Sequence, residues 1–312
     1  MSYAEPTFDW IRQFIDLTGA VYSPDLLRRY HLSLKTRRFV ILSGVSGSGK
    51  TLLTRMYADA VKAEYCLVPV APNWTTNEDL LGYYNPLSKQ YYDTDFSQFL
   101  RQASRAYKNA ISVGKQPEPF HLVLDEMNLA RVEYYFAKFL SGMEVLTAAG
   151  KAQVTMSGQD VVDLPPNLYF IGTVNVDETT QGFADKIYDR AQVIEVTHNR
   201  DEIASRIVVP EIRDVLMAIW DAVAEVMPFS IRIVDEINKY IAEAAQIGVP
   251  WEMAFDDQII QKILPRVRGT DIRFGVMLQR LNEITANRFP RSNYKIQQLS
   301  YGFHTNGIVS FF

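Results

Sequence analysis

The chain has 312 residues, 47% of them hydrophobic and 22% charged, with a formal net charge of −4. Such a composition excludes a disordered chain, and the acidic balance excludes an overall basic surface for tracking nucleic acid, leaving room only for a local basic patch. One cysteine and four scattered histidines exclude an intramolecular disulfide and any metal-ligand spacing, and no apolar run is long enough to span a bilayer.

At this length one small core does not suffice, and two packed units are expected. Met1 to Trp10 carries the acids Glu5 and Asp9 and no basic leader, so no signal peptide is read and the cytoplasm is the expected location. Phe8, Ile11, Phe14, Ile15 and Thr18 recur at helical spacing, and Gly19 can close that helix. Ser23-Pro24-Asp25 then supplies an N-cap, a proline at the first helical position and an acid in the first turn for a helix through Leu34. Together these N-terminal helices span 7–35.

Phe39 to Leu42 is a short apolar run without polar alternation, the pattern of a strand buried on both faces of a parallel sheet. Four more such runs follow: Tyr65 to Val70, His121 to Leu124, Leu168 to Thr173 and Gln192 to Val196. Cys66 lies within the first of them and is read as a buried structural thiol. A helical pattern of Phe96, Phe99, Leu100, Ala103, Tyr107, Ala110 and Ile111 intervenes, closed by Gly114. Strands alternating with helices predict a doubly wound α/β domain with a five-stranded parallel sheet.

Two segments break the alternation. Tyr83 to Tyr92 reads as a hairpin with aromatics flanking a turn at Asn85-Pro86. Its tyrosines either pack across the strands or project to a substrate or partner, with cross-strand packing slightly favoured. A second hairpin is expected from Val145 to Leu164, turning near Ala149-Gly150-Lys151. Beyond His198 strands give way to helical segments at Ile212–Val226, Ile231–Ile247, Phe255–Leu264 and Ile272–Asn287, so the boundary is placed between 198 and 199.

Gly44-Val45-Ser46-Gly47-Ser48-Gly49-Lys50-Thr51 matches G-x-x-x-x-G-K-[ST], with Leu52 next on the helix it opens. A loop of small residues lets backbone amides turn inward on phosphate oxygens, and a helix N-terminus adds positive potential. Lys50 is expected on the β- and γ-phosphates, and the Thr51 hydroxyl on Mg²⁺. The run ending in Asp125-Glu126 places two carboxylates at the C-terminal sheet edge, where doubly wound folds bind ligands. Asp125 is expected to hold Mg²⁺ through water and Glu126 to act as the base on the attacking water. Asn175, closing the next buried strand, is positioned to orient that water or touch the γ-phosphate.

This order of elements, with a trailing helical region, resembles an AAA+ P-loop NTPase over nearly the whole chain, which implies an α/β nucleotide-binding domain at 1–198 and a helical lid domain at 199–312. Within that class the chain resembles the McrB family, motor of modification-dependent restriction systems and related to MoxR and dynein-like modules. Asp125-Glu126-Met127-Asn128 is similar to that family's D-E-I-N, which implies that Asn128 orients Glu126 or the water. The hairpin ahead of Asn175 resembles the group's insertion before sensor 1, Pro166 to Gly172 resembles the approach to it, and Gly307 to Phe312 looks like a family ending, so the chain is expected to stop at its natural terminus.

Two departures stand out. M-N-T-A-D-R appears as Val174-Asn175-Val176-Asp177-Glu178-Thr179, and the arginine expected after D-E-I-N is displaced to Arg131. ATP and GTP therefore both stay open as the nucleotide, with Mg²⁺. The resemblance implies a homo-oligomeric ring, expected as a hexamer, completed by an arginine finger from the neighbouring subunit. Arg190 is the first candidate and Arg131 the second, a surface ion pair with Asp185 or Asp189 being the competing reading of Arg190. Arg273 is the candidate sensor-2 arginine, with Arg268 competing.

No P-D-…-E-x-K cluster is evident, so cleavage would need an McrC-like nuclease partner, with DNA contacted indirectly and no membrane involved. A MoxR-like remodelling chaperone acting on proteins is the alternative function, and a nucleotide-bound switch without turnover is disfavoured by Lys50, Asp125 and Glu126.

Overall fold

Side chains along the buried strands alternate between two apolar cores, and this alternation sets the architecture of the nucleotide-side half. The computed structural model describes residues 2–149, 152–157, 160–176 and 182–312. It divides into two compact units, Met1–Gly44 with Gly49–Val196, and Val45–Ser48 with Thr197–Phe312.

The first unit opens with α1 (Phe8–Leu17) and α2 (Pro24–Arg37), the second capped as expected, its Ser23 hydroxyl accepting from the Leu26 amide at 3.1 Å. Then come β1 (Phe39–Gly44), α3 (Lys50–Ala60), β2 (Glu64–Pro69), α4 (Asn77–Leu81), β3 (Gly82–Asn85) and β4 (Gln90–Asp93). The unit continues with α5 (Asp95–Ser112), β5 (Phe120–Asp125), α6 (Val132–Tyr135), α7 (Ala137–Ala149), β6 (Ala152–Ser157) and β7 (Asp160–Leu164). It closes with β8 (Leu168–Asn175), α8 (Asp185–Tyr188) and β9 (Gln192–Glu195).

The five-stranded sheet runs β2-β5-β8-β1-β9, every pair parallel, as the five apolar runs predicted. The expectation of burial on both faces holds for β1, β5 and β8 and is corrected for β2 and β9, which lie at the two ends of the strand order and are largely exposed. Phe39, Ile41, Leu122, Leu124 and Phe170 face the core filled by Phe96, Leu100, Phe136 and Phe139. Val40, Leu42, Val123 and Ile171 face the other core, with Ile11, Leu27, Tyr30 and Leu53. Each such buried Ile or Phe contributes about 1.5–3 kcal/mol relative to an exposed one. The crossover order places Gly44, Asp125 and Asn175 together at one sheet edge.

The aromatic hairpin is present as β3 and β4, with Tyr83 paired to Tyr92 and their rings stacked across the strands at 5.5 Å, while Tyr84 is exposed. The second hairpin is corrected. Its strands are β6 and β7, registered Ala152 to Leu164, and the segment expected as its first strand, from Val145, is the end of α7. Leu and Ala are strong helix formers, and they outweigh the two β-branched residues Val145 and Thr147 once a helix is running. Of the expected turn, Gly150 and Lys151 lie outside the described residues. Cys66 is also corrected: it is half-buried rather than buried, its thiol pushed up to about 11 chiefly by burial, with a small push from Asp95.

The second unit holds α9 (Arg200–Ser205), α10 (Arg213–Val223), α11 (Ile231–Gln246), α12 (Trp251–Gln258), α13 (Arg273–Thr285) and α14 (Pro290–Asn306) around its own core. The expected helix 255–264 instead starts at Trp251 and ends in a widened π turn over Ile259–Ile263 and a tight turn over Leu264–Arg266. Pro265 causes this, because its ring has no N–H to give and crowds the carbonyl of Gln261. The sequence pattern left α14 unread. Its first turn is satisfied from a distance: the Asp256 carboxylate, 4% exposed, accepts from the amides of Arg291 at 3.1 Å and Ser292 at 2.8 Å.

The boundary falls between Val196 and Thr197, two residues ahead of the expected one. Among the described residues beyond it, β structure is limited to a bridge between Gly269 and Val309, and no described helix is long and apolar enough to cross a membrane.

Candidate functional site

The phosphate-loop motif lies between β1 and α3. Gly49 has φ +83°, and a Cβ there would stand 2.8 Å from the Tyr22 hydroxyl, which donates to the Gly49 carbonyl at 2.8 Å. Gly47, at φ +81°, would collide likewise with Ser230 at 2.7 Å. Both positions need glycine for backbone sign and for space. Lys50 is 6% exposed and its ammonium donates to the Gly44 carbonyl at 2.9 Å, so the charge is held over the mouth of the loop.

The loop tip Val45–Ser48 belongs to the second unit and is held there by side chains. The Ser230 hydroxyl donates to the Ser46 carbonyl at 3.2 Å, Arg232 donates to the Ser46 hydroxyl at 3.0 Å, and a ring nitrogen of His198 lies 3.1 Å from the Ser48 carbonyl.

At the end of β5 the two acids are fixed by a connected run of hydrogen bonds. Asp125 accepts from the Thr51 hydroxyl at 2.7 Å and from the Thr173 hydroxyl at 2.6 Å. The same Thr173 oxygen accepts from the Glu126 amide at 2.9 Å. Glu126 sits at φ 52°, a left-handed conformation that costs a non-glycine residue on the order of 1–3 kcal/mol. That turn swings its carboxylate onto Asn175, whose side-chain amide donates to it at 3.0 Å. Asn128, 3% exposed, donates to the Asn175 carbonyl at 3.1 Å, and its own Oδ1 is buried without a partner. Asn128 therefore supports the residue that holds Glu126 and does not itself touch the acid.

The Thr51 hydroxyl and the Asp125 carboxylate are hard oxygen donors in contact, the kind of corner Mg²⁺ takes while keeping most of its waters. Among the described residues there is no cluster of three or more His, Cys, Asp or Glu side chains for a fully protein-ligated metal, in keeping with such a sparse donor set.

The arginines are placed differently. Arg190 donates to the carbonyls of Leu140 at 3.1 Å and Lys186 at 2.9 Å and pairs with Glu144, not with the Asp185 or Asp189 of the competing reading. Arg131 stacks on Tyr134, 5.7 Å from the ring centre, and donates to its hydroxyl. Arg273 is tied to Asp271, two residues away, by bonds of 3.0 Å from Nε and has no described contact with the loop. Arg266 donates to the Pro228 carbonyl at 3.2 Å, and burial first, then the charges of Arg232 and Arg268, make its guanidinium easier to deprotonate than usual. Arg232, unremarked in the sequence, donates to the Ser46 hydroxyl of the loop tip.

Thr173, Tyr22, His198 and Arg232 were all missed. Only Thr173 left a signal: it is a lone hydroxyl in an apolar run, two places before Asn175 and so on the same strand face. Asp177, Glu178 and Thr179 of the altered signature lie outside the described residues.

Residues 39–191 match the family model described as AAA domain (dynein-related subfamily), and residues 193–308 match a domain of unknown function, DUF8727. Among solved structures the chain is similar to a point mutant of RuvB from Thermotoga maritima, at 13% identity and a TM-score of 0.48, covering 95% of this chain and 92% of that one. No curated protein matches the chain.

Proposed function

We propose that this chain, whose residues 39–191 match the AAA domain model, binds ATP or GTP with Mg²⁺ and hydrolyses it as a homo-oligomeric ring, driving or gating a partner nuclease in the manner of McrB. The observation that carries the hydrolytic part is the run of hydrogen bonds linking Thr51, Asp125, Thr173, Glu126, Asn175 and Asn128. It joins the motifs of three separate strand ends into one unit.

In this reading the amides of Gly44 to Thr51, with Leu52 behind them, cradle the phosphates, and Lys50 moves its charge from the Gly44 carbonyl onto them. Thr51 and Asp125 would hold Mg²⁺, Asp125 through water, and the bound ion would supply charge neutralisation at the phosphates. Glu126 takes the proton of the attacking water, with Asn175 fixing the angle of its carboxylate. Arg190 of a neighbouring subunit completes the site, with Arg131 as the second candidate. Arg273 stays the candidate sensor-2 arginine, with Arg268 competing.

The McrB-like role draws support from Asp125-Glu126-Met127-Asn128, where the asparagine is buried and engaged. Its McrC-like nuclease partner and its hexameric ring rest on the resemblance alone. The test is hydrolysis of ATP and GTP side by side across protein concentration, with Glu126→Gln as the control. Turnover that rises with concentration and prefers GTP, falling roughly 10²–10⁴-fold in the control, is the expected result. A preference for ATP moves the reading to a MoxR-like remodeller, and no turnover with binding retained removes hydrolysis from it.

A further inference from the structure

A cleft of about 180 Å³ opens at the opposite end of the sheet from the phosphate loop, lined by the first residues of β5 and β8 and the last of α3. His121 precedes Asp125 by four residues on β5, roughly 13 Å at the rise of a strand. Tyr57 follows Lys50 by seven on α3, roughly 10 Å along a helix. The cleft is therefore separate from the site above.

Its lining combines two unusual features. His121 is 2% exposed and Asn167 is 7% exposed, yet Nδ1 of the one and Oδ1 of the other have no hydrogen-bond partner. The Asn167 amide nitrogen is occupied by the Glu118 carbonyl at 2.6 Å, which fixes the oxygen as the unsatisfied atom. A buried polar atom left in this state costs about 1–3 kcal/mol. Around the pair stand flat aromatic faces. Tyr57 stacks on His121 at 5.9 Å and 14°, Tyr169 meets it edge-on at 5.2 Å, and Tyr107 lines the same cleft.

The charge state narrows the ligand. Burial, and secondarily the charge of Lys35, pushes the His121 imidazole down to about 3, so it is neutral and offers one donor and one acceptor. The charged lining residues Lys35 and Glu5 pair with each other. A charged ligand would find no counter-ion beside the orphaned atoms and would meet the desolvation penalty in full. In size, an engineered apolar cavity of roughly 150 Å³ holds benzene.

We infer that this cleft is a binding site for a neutral single-ring heterocycle bearing an N–H donor, the size and chemistry of a pyrimidine base. The ring lies among Tyr57, Tyr107 and Tyr169, its N–H donates to Asn167 Oδ1, and a second polar atom meets His121 Nδ1. The inference does not depend on nucleotide hydrolysis.

The test is titration of cytosine into the full chain without nucleotide, followed by calorimetry and by the ¹⁵N resonances of the His121 imidazole. Saturable binding at one site, a shift of the Nδ1 resonance, and at least a tenfold loss of affinity in both His121→Phe and Asn167→Leu are expected. Thermal unfolding checks that each variant is folded. Should one fail to fold, the resonance shift in the unsubstituted protein and the other variant decide. Retention of binding in Lys50→Ala is also expected, and loss there would assign cytosine to the phosphate loop and overturn the inference. No binding, or binding unchanged in both cleft variants, overturns it equally.

Discussion

The Thr173 hydroxyl donates to Asp125 and accepts from the Glu126 amide, so one small side chain sets the angle between two carboxylates with different proposed roles. Thr173→Val keeps the shape and removes both bonds. It should cost about 1–3 kcal/mol of stability and lower turnover about tenfold or more while leaving nucleotide affinity little changed, with Thr173→Ser restoring most of the loss. Hydrolysis rates beside fluorescent-nucleotide binding check this, and a fall in affinity matching the fall in rate would assign Thr173 to the loop instead. Lys50, Thr51, Asp125, Glu126 and Asn175 could be proposed from the sequence because fixed local spacing or a strand end marks them. Tyr22 and Arg232 could not, because each reaches the loop across a separation no pattern encodes, 27 residues to Gly49 and 186 to Ser46.

At the scale of elements, buried strands were the most legible feature, since a strand covered on both faces must be apolar throughout. The end of α7 and the whole of α14 were not. The first reads ambiguously because Val145 and Thr147 suit a strand, and the second because its first turn depends on a partner far along the chain. That dependence is testable. Asp256→Ala leaves the amides of Arg291 and Ser292 unsatisfied and should lower stability by about 1–3 kcal/mol, read as a lower midpoint of thermal unfolding. An unchanged midpoint would mean α14 is held by its other contacts, among them Ile296 and Leu299 in the core and Asn293 on Asn282.

The β6–β7 hairpin has its own tether, Arg101 to Asp160 at 2.6 Å. The hydrogen bond from Arg101 holds the Asp160 carboxyl below its ordinary range. A depressed folded value means the tether contributes above the ordinary carboxylate range and is lost as pH falls through the lowered one. Protection of the amides in 152–157 and 160–164, once the slower intrinsic exchange in acid is divided out, should therefore fall on acidification, and in Arg101→Ala it should be low at neutral pH and less sensitive to acid.

For the whole molecule, the change of texture near His198 led the sequence to be read as two units, and the chain divides into two compact units. Which unit would hold the loop tip was not legible, because Val45–Ser48 is grouped by contacts with Ser230 and Arg232 rather than by sequence. The proposed ring adds a prediction at this scale. Arg190 is engaged within its own subunit by Leu140, Lys186 and Glu144. Arg190→Ala should bind nucleotide normally yet lose roughly 10³-fold or more in turnover, and mixing it with Glu126→Gln protein should restore activity if the arginine acts between subunits. Full activity in Arg190→Ala alone would exclude it as the finger.

The parallel ladder between β1 and β8 pairs Gly44 with Asn175, residue against residue from Phe39 with Phe170 onward. It works as a ruler, and a ruler does not forgive an added mark. One residue inserted between Leu168 and Asn175 would slide the strand by about 3.3 Å and exchange its faces. Thr173 and Asn175 would then turn away from the acids while Phe170 and Val174 left their core. Over evolutionary time this strand can change letters but not length.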